Sequence, residues 1–257
     1  MNLTELTLND AGTVAQLRMN RPAKRNALSD ALVLELKKTL SEIPASVKAV
    51  VLSGAGEHFC AGLDLSELKE RDAAEGVMHS RMWHDCFETF QFGRVPVISA
   101  LQGAVVGGGL ELAAATHIRV AASSAYFALP EGQRGLFLGG GGSARITRLI
   151  GFSRVSDMML TGRTYDAAQA ETIGLVHYVV EPSELMSKAM QLAERIASNA
   201  PLSNFAIMHA LPRIADQSQT GGLFTESLMA AVAQSAPDAK QRVTDFLSGR
   251  AAKVTKQ

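Results

Sequence analysis

Three observations predict an α/β fold for this sequence. An alternating hairpin pattern opens the chain, strand-like and helix-like stretches then succeed one another as far as Val180, and from Pro201 onward the pattern is helical only. At the centre, Val95-Pro-Val-Ile-Ser-Ala-Leu101 has the composition of a strand, Gly107-Gly-Gly109 that of a tight turn, and Leu110-Glu-Leu-Ala-Ala-Ala115 that of a helix start.

Taken in order, Leu3–Leu8 and Val14–Met19 alternate around Asn9-Asp-Ala-Gly12 and read as an antiparallel hairpin. The stretch Asn20-Arg-Pro-Ala-Lys-Arg-Asn-Ala-Leu28 is a basic loop, either solvated or a local phosphate site. Ser29 has the character of an N-cap, and Leu32, Leu36, Leu40 and Ile43 form an amphipathic stripe ended by Pro44. Lys48–Ser53 is a short buried strand. After Gly54-Ala-Gly56, Asp64 can tie its loop to nearby N–H groups or cap the following helix. Cys60 is read as a small packed residue. Residues 66–92 read as helix, with Met78, Met82, Trp83 and Phe87 giving either a core face or part of an acyl wall. Residues 117–122 and 125–129 are strands, and helices are expected over 144–150, 151–160 and 167–172, the last capped by Asp166. Residues 174–180 form a last strand, and Pro182 opens a helix to Ser198. Breaks in the C-terminal helical region are expected near Pro212, Gly221-Gly222 and Pro237.

A chain of 257 residues with 47% hydrophobic content can bury one large core. Lys plus Arg equals Asp plus Glu at 25 each, so no global field recruits nucleic acid or an acidic membrane, and an anionic ligand must be held locally. Cys60 and Cys86 without a C-x-x-C, and no secretory leader in the first residues, lead us to expect a reduced, cytoplasmic setting. No apolar run approaches the roughly 20 residues of a membrane span. The six histidines show no pair with metal-ligand spacing, so no metal is expected.

The chemistry concentrates around the central glycines. Contiguous glycines allow close backbone approach, and the helix behind them points unpaired N–H groups at whatever oxygen sits there. Glu111 would stand beside that point, and a second carboxylate follows at Glu131. A dinucleotide fingerprint fits poorly, because the glycines are contiguous and Glu131 lies between Pro130 and Gly132 on a turn. A P-loop is excluded, since no glycine run is followed by Lys-Ser or Lys-Thr.

The chain resembles the enoyl-CoA hydratase/isomerase (crotonase) superfamily. The resemblance rests on Asn20-Arg-Pro with Asn26-Ala-Leu28, Phe59-Cys-Ala-Gly-Leu-Asp-Leu65, Gly103 with Gly107-Gly-Gly-Leu-Glu-Leu-Ala113, Pro130-Glu131, Arg148-Leu-Ile-Gly151 and Leu160-Thr-Gly-Arg163 through Leu175-Val176. Each motif is weak alone; together and in this order they cover nearly the whole chain. The resemblance implies a spiral of ββα units over residues 1–196 that holds the CoA site, and a helical region over 197–257 that builds homotrimers or dimers of trimers.

It further implies an oxyanion hole at the N–H groups of Leu63 and Gly108, and catalytic glutamates at Glu111 and Glu131. The expected activity is hydration of a 2-enoyl-CoA, with Glu111 as base and Glu131 as acid around one water. Coenzyme A is then part of the substrate and no separate cofactor is needed. Contacts to the CoA ester are expected from Lys24, Arg25, Ala27, Ala61, Asp64, Leu65 and Ser66, with Lys253 a further candidate for a phosphate. One departure stands out: relatives often carry Gly-Leu-x-Pro after the Pro-Glu turn, where this chain has Gly135-Leu-Phe-Leu138 followed by four glycines. That run is similar to the branch containing methylthioacryloyl-CoA hydratases, which keeps a lyase or thioester hydrolase open as alternatives. Double-bond isomerisation and an idle CoA-binding subunit are the remaining ones.

Overall fold

The computed structural model describes residues 2–67 and 69–250. Lys253 lies outside the described residues. Within them the chain divides between Ala197 and Ser198 into two compact units.

The first unit opens with the hairpin β1 (Thr4–Leu8) and β2 (Val14–Met19), then α1 (Asp30–Ser41), whose N-cap Ser29 accepts from Leu32 N at 3.2 Å. Strand β3 (Ala49–Gly54) and helix α2 (Ala73–Gln91) follow. Next come β4 (Val97–Leu101), β5 (Ala104–Val106), α3 (Gly108–Ala114), β6 (Ile118–Ala122), β7 (Tyr126–Ala128), α4 (Gly142–Ile150) and α5 (Phe152–Thr161). Strand β8 (Thr164–Asp166), α6 (Ala167–Thr172), β9 (Tyr178–Val180) and α7 (Leu185–Ala197) complete it. A six-stranded sheet runs β1-β2-β3-β4-β6-β9, antiparallel only in its first pair, and a three-stranded sheet runs β5-β7-β8.

Successive turns of the chain therefore give a strand to the large sheet, an extended piece to the small one, and a helix. This is the expected spiral of ββα units. In the turn that begins with β3 the extended piece shrinks to Cys60, which bridges Val105 of β5.

Strands β3 and β4 are buried at every residue because both faces of the large sheet are covered. Val14, Ala49, Val51, Ile98, Ala100, Val120 and Ala122 face α7, which answers with Leu185, Ala189, Ala193 and Ala197, one residue per turn. The alternate residues, among them Leu17, Val50, Leu52, Val97 and Leu101, face α1 and α2. Small side chains on α7 let it lie close to the sheet. Among the described residues no helix is long and apolar enough to cross a membrane.

Several expectations need correction. The central strand starts at Val97, since Pro96 has no N–H to give the ladder, and the glycine turn is not single: β5 intervenes between β4 and α3. A three-residue strand has almost no sequence signal, and its ladder comes from distant β7. Helix α2 begins seven residues later than expected, where Asp72 and Glu75 close a capping box; Leu65–Glu67 is a 3-10 turn. Met78 is 69% exposed, and the core face of α2 is Trp83, Cys86, Phe87 and Phe90. Ile43 lies past the end of α1 yet is buried.

In the second unit, α8 (Pro201–Ala215), α9 (Gln219–Ser235) and α10 (Pro237–Leu247) continue through Pro212 and through Gly221-Gly222 without a break. The chain turns instead at 216–218, where Ser218 caps α9. Pro237 does mark a break, at the first position of α10.

Candidate active site

Two glycine loops meet at the edge of the small sheet. Cys60 N donates to Ala104 O at 2.9 Å and Val106 N to Cys60 O at 3.1 Å, so the first loop runs as an extra strand beside β5. On its other side Leu28 N donates to Gly62 O at 2.7 Å and Asp64 N to Leu28 O at 2.9 Å. The loop is fixed from both flanks. Gly62, at φ +97°, packs where a Cβ would lie 2.9 Å from Val106 O and 3.7 Å from Gly108 N, so no larger residue fits. The second loop places Gly109 where a Cβ would lie 2.5 Å from Cys60 O, and α3 starts directly against the first loop.

Among the donors that this stitching leaves over, two belong to residues that line a cavity. The N–H groups of Leu63 and Gly108 have no acceptor among the described residues, and both residues line one cavity of about 420 Å³. Gly108 stands at the first turn of α3, where the N–H groups have no intrahelical partner.

Glu111, one turn along α3, is 4% exposed, and its Oε1 accepts from Gly140 N and Gly142 N at 2.8 Å each. Burial raises its pKa, opposed by those two backbone donors, which favour the carboxylate. The unusual glycine run explains itself here. A Cβ at Gly142 would lie 2.6 Å from Glu111 Cγ and one at Gly140 2.7 Å from Phe87, so both N–H groups reach the carboxylate only because the residues are glycine.

Glu131 comes from the turn after β7, and its Oε2 is buried with no hydrogen-bond partner. Its pKa is pushed up to about 7, first by burial and then by the charge of Glu111. The pair therefore differs in kind: one carboxylate has an oxygen held by two backbone donors, the other carries an orphaned oxygen suited to a proton.

Of the residues read from the sequence, Ala61, Leu63, Leu65, Gly108, Glu111 and Glu131 line this cavity. Lys24, Arg25, Ala27, Asp64 and Ser66 do not; Lys24 and Ser66 form a cluster around Asp64 behind the first loop. Lys24 Nζ is 3.2 Å from Ser66 Oγ and 3.8 Å from Asp64 Oδ1. Asp64 is 4% exposed; Oδ1 accepts from Ser66 N and Oγ, and Oδ2 pairs with Arg21 at 2.8 Å. The hydroxyl of Ser66, then Arg21, holds its pKa down at about 2. Its carboxylate is a brace for the loop and not part of the cavity wall. Ala27 is buried, and Arg25, at φ +49°, spends its carbonyl on Ala61 N.

Sequence reasoning missed other wall residues: Arg71, His79, Ser80, Arg134 and Phe137. Gly76, His79, Ser80 and Trp83 follow helical spacing on α2, a signal that the apolar stripe obscured. Cys60 is packed as expected, with burial pushing its thiol up to about 12. A second cavity of about 430 Å³ lies at the C-terminal ends of α1 and α2. Its Lys37 and Asp85 pair with each other at 3.9 Å, and Arg94 donates to Ile43 O and Pro44 O.

Comparison with known proteins identifies the family. The family model described as enoyl-CoA hydratase/isomerase matches residues 9–257. The chain is 37% identical to the short-chain-enoyl-CoA hydratase of Clostridium acetobutylicum, over 97% of each chain. It is similar to a Rhodopseudomonas palustris CGA009 protein whose crystal structure is assigned to the enoyl-CoA hydratases (TM-score 0.92, 56% identity, 97% of this chain and 96% of that one). The enoyl-CoA hydratase of Bacillus anthracis gives a TM-score of 0.90 at 33% identity, covering 96% and 97%. With matches along its whole length, and with two glycine loops and two carboxylates on one cavity, this chain belongs to the enoyl-CoA hydratase/isomerase (crotonase) family.

Proposed function

We propose that the protein adds water across the C2–C3 double bond of a 2-enoyl-CoA. The observation that carries this reading is the sharing of one cavity by two unpaired backbone donors and two chemically distinct carboxylates. The thioester oxygen sits against Leu63 N and Gly108 N, where the charge of the forming enolate is stabilised without reorganisation. Glu111 and Glu131 hold the water between them. Glu111, whose carboxylate form the Gly140 and Gly142 donors favour against its burial, takes a proton from the water as its oxygen attacks C3. Glu131, protonated near neutral pH, gives its proton to C2. Coenzyme A enters as part of the substrate, its phosphates near Lys24 and Arg25, and the step needs no further cofactor.

The test is incubation with crotonyl-CoA, following the conjugated thioester absorbance while a thiol reagent reports CoA release. Absorbance loss without thiol is the expected result. Stoichiometric thiol release would replace this reading by the hydrolase or lyase one, with methylthioacryloyl-CoA the next substrate.

Self-association fits the second unit, whose α8 and α9 leave Ile207, Leu211, Leu223, Phe224 and Leu228 more than half exposed. Light scattering should give three or six times the chain mass; a monomer at micromolar concentration would refute it.

A further inference from the structure

One glycine in the cavity wall has no reason in the fold. Gly76 lies inside α2, in the right-handed region of backbone space, with no atom within 4 Å of where its Cβ would stand. Every other described glycine inside an α-helix has an atom at 3.2 Å or nearer: Gly108, Gly109, Gly142, Gly221 and Gly222 all meet backbone or side chains there. Gly109 and Gly142 exclude a Cβ outright, at 2.5 and 2.6 Å, and at the other three a neighbour would have to give way. Gly76 excludes nothing, and it weakens the helix, because glycine is among the poorest helix formers. It lines the active cavity, in one row with His79, Ser80 and Trp83.

That row runs along α2 outward from Gly108. Trp83 packs against Gly108, where a Cβ would meet its ring at 3.0 Å. One turn back, Ser80 Oγ donates to Gly139 O at 2.6 Å, in the loop whose next N–H grips Glu111. Gly76 lies a further turn out, about 10 Å along the axis from Trp83. The first glycine loop joins the cavity wall at Leu63 and Leu65 and carries Ser66, which Lys24 contacts. On the enoyl-CoA reading, which sets the CoA phosphates near Lys24 and Arg25, the acyl chain takes the wall past Glu111 along α2.

We propose that Gly76 is a specificity-determining residue that keeps the outer acyl channel open, so that the site accepts acyl chains longer than four carbons. This rests on the enoyl-CoA reading of the cavity.

The test is calorimetric binding of butyryl-CoA and decanoyl-CoA to the full chain and to Gly76→Leu, with Ala74→Leu as a control on the same helix outside the cavity lining. In Gly76→Leu the ratio of the decanoyl-CoA to the butyryl-CoA Kd should rise roughly tenfold, because the leucine side chain takes room that only the longer chain needs. Ala74→Leu should leave that ratio where it was. Gly76→Ala should raise Tm by about 2 °C, which shows that the fold does not need the glycine. A ratio unchanged in Gly76→Leu, or equal weakening of both esters because the CoA arm passes there, overturns the inference while the enoyl-CoA reading stands. Failure of the unaltered protein to bind either ester overturns both.

Discussion

Glu111→Gln and Glu131→Gln each lower kcat for hydration by roughly 10²-fold or more, while saturated acyl-CoA still binds. The two losses have different causes. Glutamine at 111 still accepts from Gly140 N and Gly142 N through its carbonyl oxygen but has no charge with which to take a proton from water. Glutamine at 131 cannot deliver a proton to C2. The pH profile separates them: with Glu131 titrating at about 7, kcat/KM of the parent protein falls as pH rises through that value. In Glu131→Gln this limb disappears from the residual activity. Retention of more than a tenth of the parent kcat by either variant would sink the mechanism.

The same shift predicts a stability effect whose sign can be worked out. The folded protein holds the Glu131 proton up to about 7, whereas the unfolded chain releases it near the ordinary 4.5. The folded state therefore binds more protons between these values, and the contribution of Glu131 is full below 4.5 and lost as pH rises through 7. Glu131→Gln escapes that loss. Discounted for the partial exposure of the group, it should be more stable than the parent at pH 8 by about 1–2 kcal/mol and nearly equal at pH 4. Urea denaturation at the two pH values measures this.

The second large effect is expected at Gly62. Alanine there must hold φ near +97° with its Cβ 2.9 Å from Val106 O, and neither can relax without moving the next peptide. That peptide carries Leu63 N–H. Loss of one oxyanion donor costs about 3–4 kcal/mol of transition-state stabilisation, or a kcat fall of roughly 10²–10³-fold. Backbone strain alone would also destabilise the fold, so Gly12→Ala is the matched control: Gly12 has φ +66° and nothing within 4 Å. Gly12→Ala should lose stability and keep kcat. If Gly62→Ala folds and hydrates crotonyl-CoA at the parent rate, Leu63 N–H is not part of the oxyanion hole.

The alternation of strands and helices, Ser29 and Asp166 as caps, and the carboxylates at 111 and 131 could all be read from the chain. Each is a local matter: a hydrophobic period, a side chain bonding its own backbone three residues on, a residue type beside a glycine cluster. The position of Asp64 was legible too, but not its partner, because Arg21 is brought to it only by the fold. Strand β5 escaped because three residues between glycines become a strand only through pairing with β7. The run of four glycines registered as a departure from the family pattern, and its use in gripping Glu111 emerged only when α3 and the start of α4 were packed together.

What the sequence by itself determined is therefore the class of the fold and the identity of the reacting groups. The tertiary structure alone decided that two loops some forty-five residues apart bring the Leu63 and Gly108 N–H groups, unpaired among the described residues, to one cavity wall, and that Glu131 keeps an orphaned oxygen while Glu111 Oε1 is held by two backbone donors. Hydrogen-bond satisfaction and desolvation are sums over neighbours from distant parts of the chain, and no local pattern encodes them.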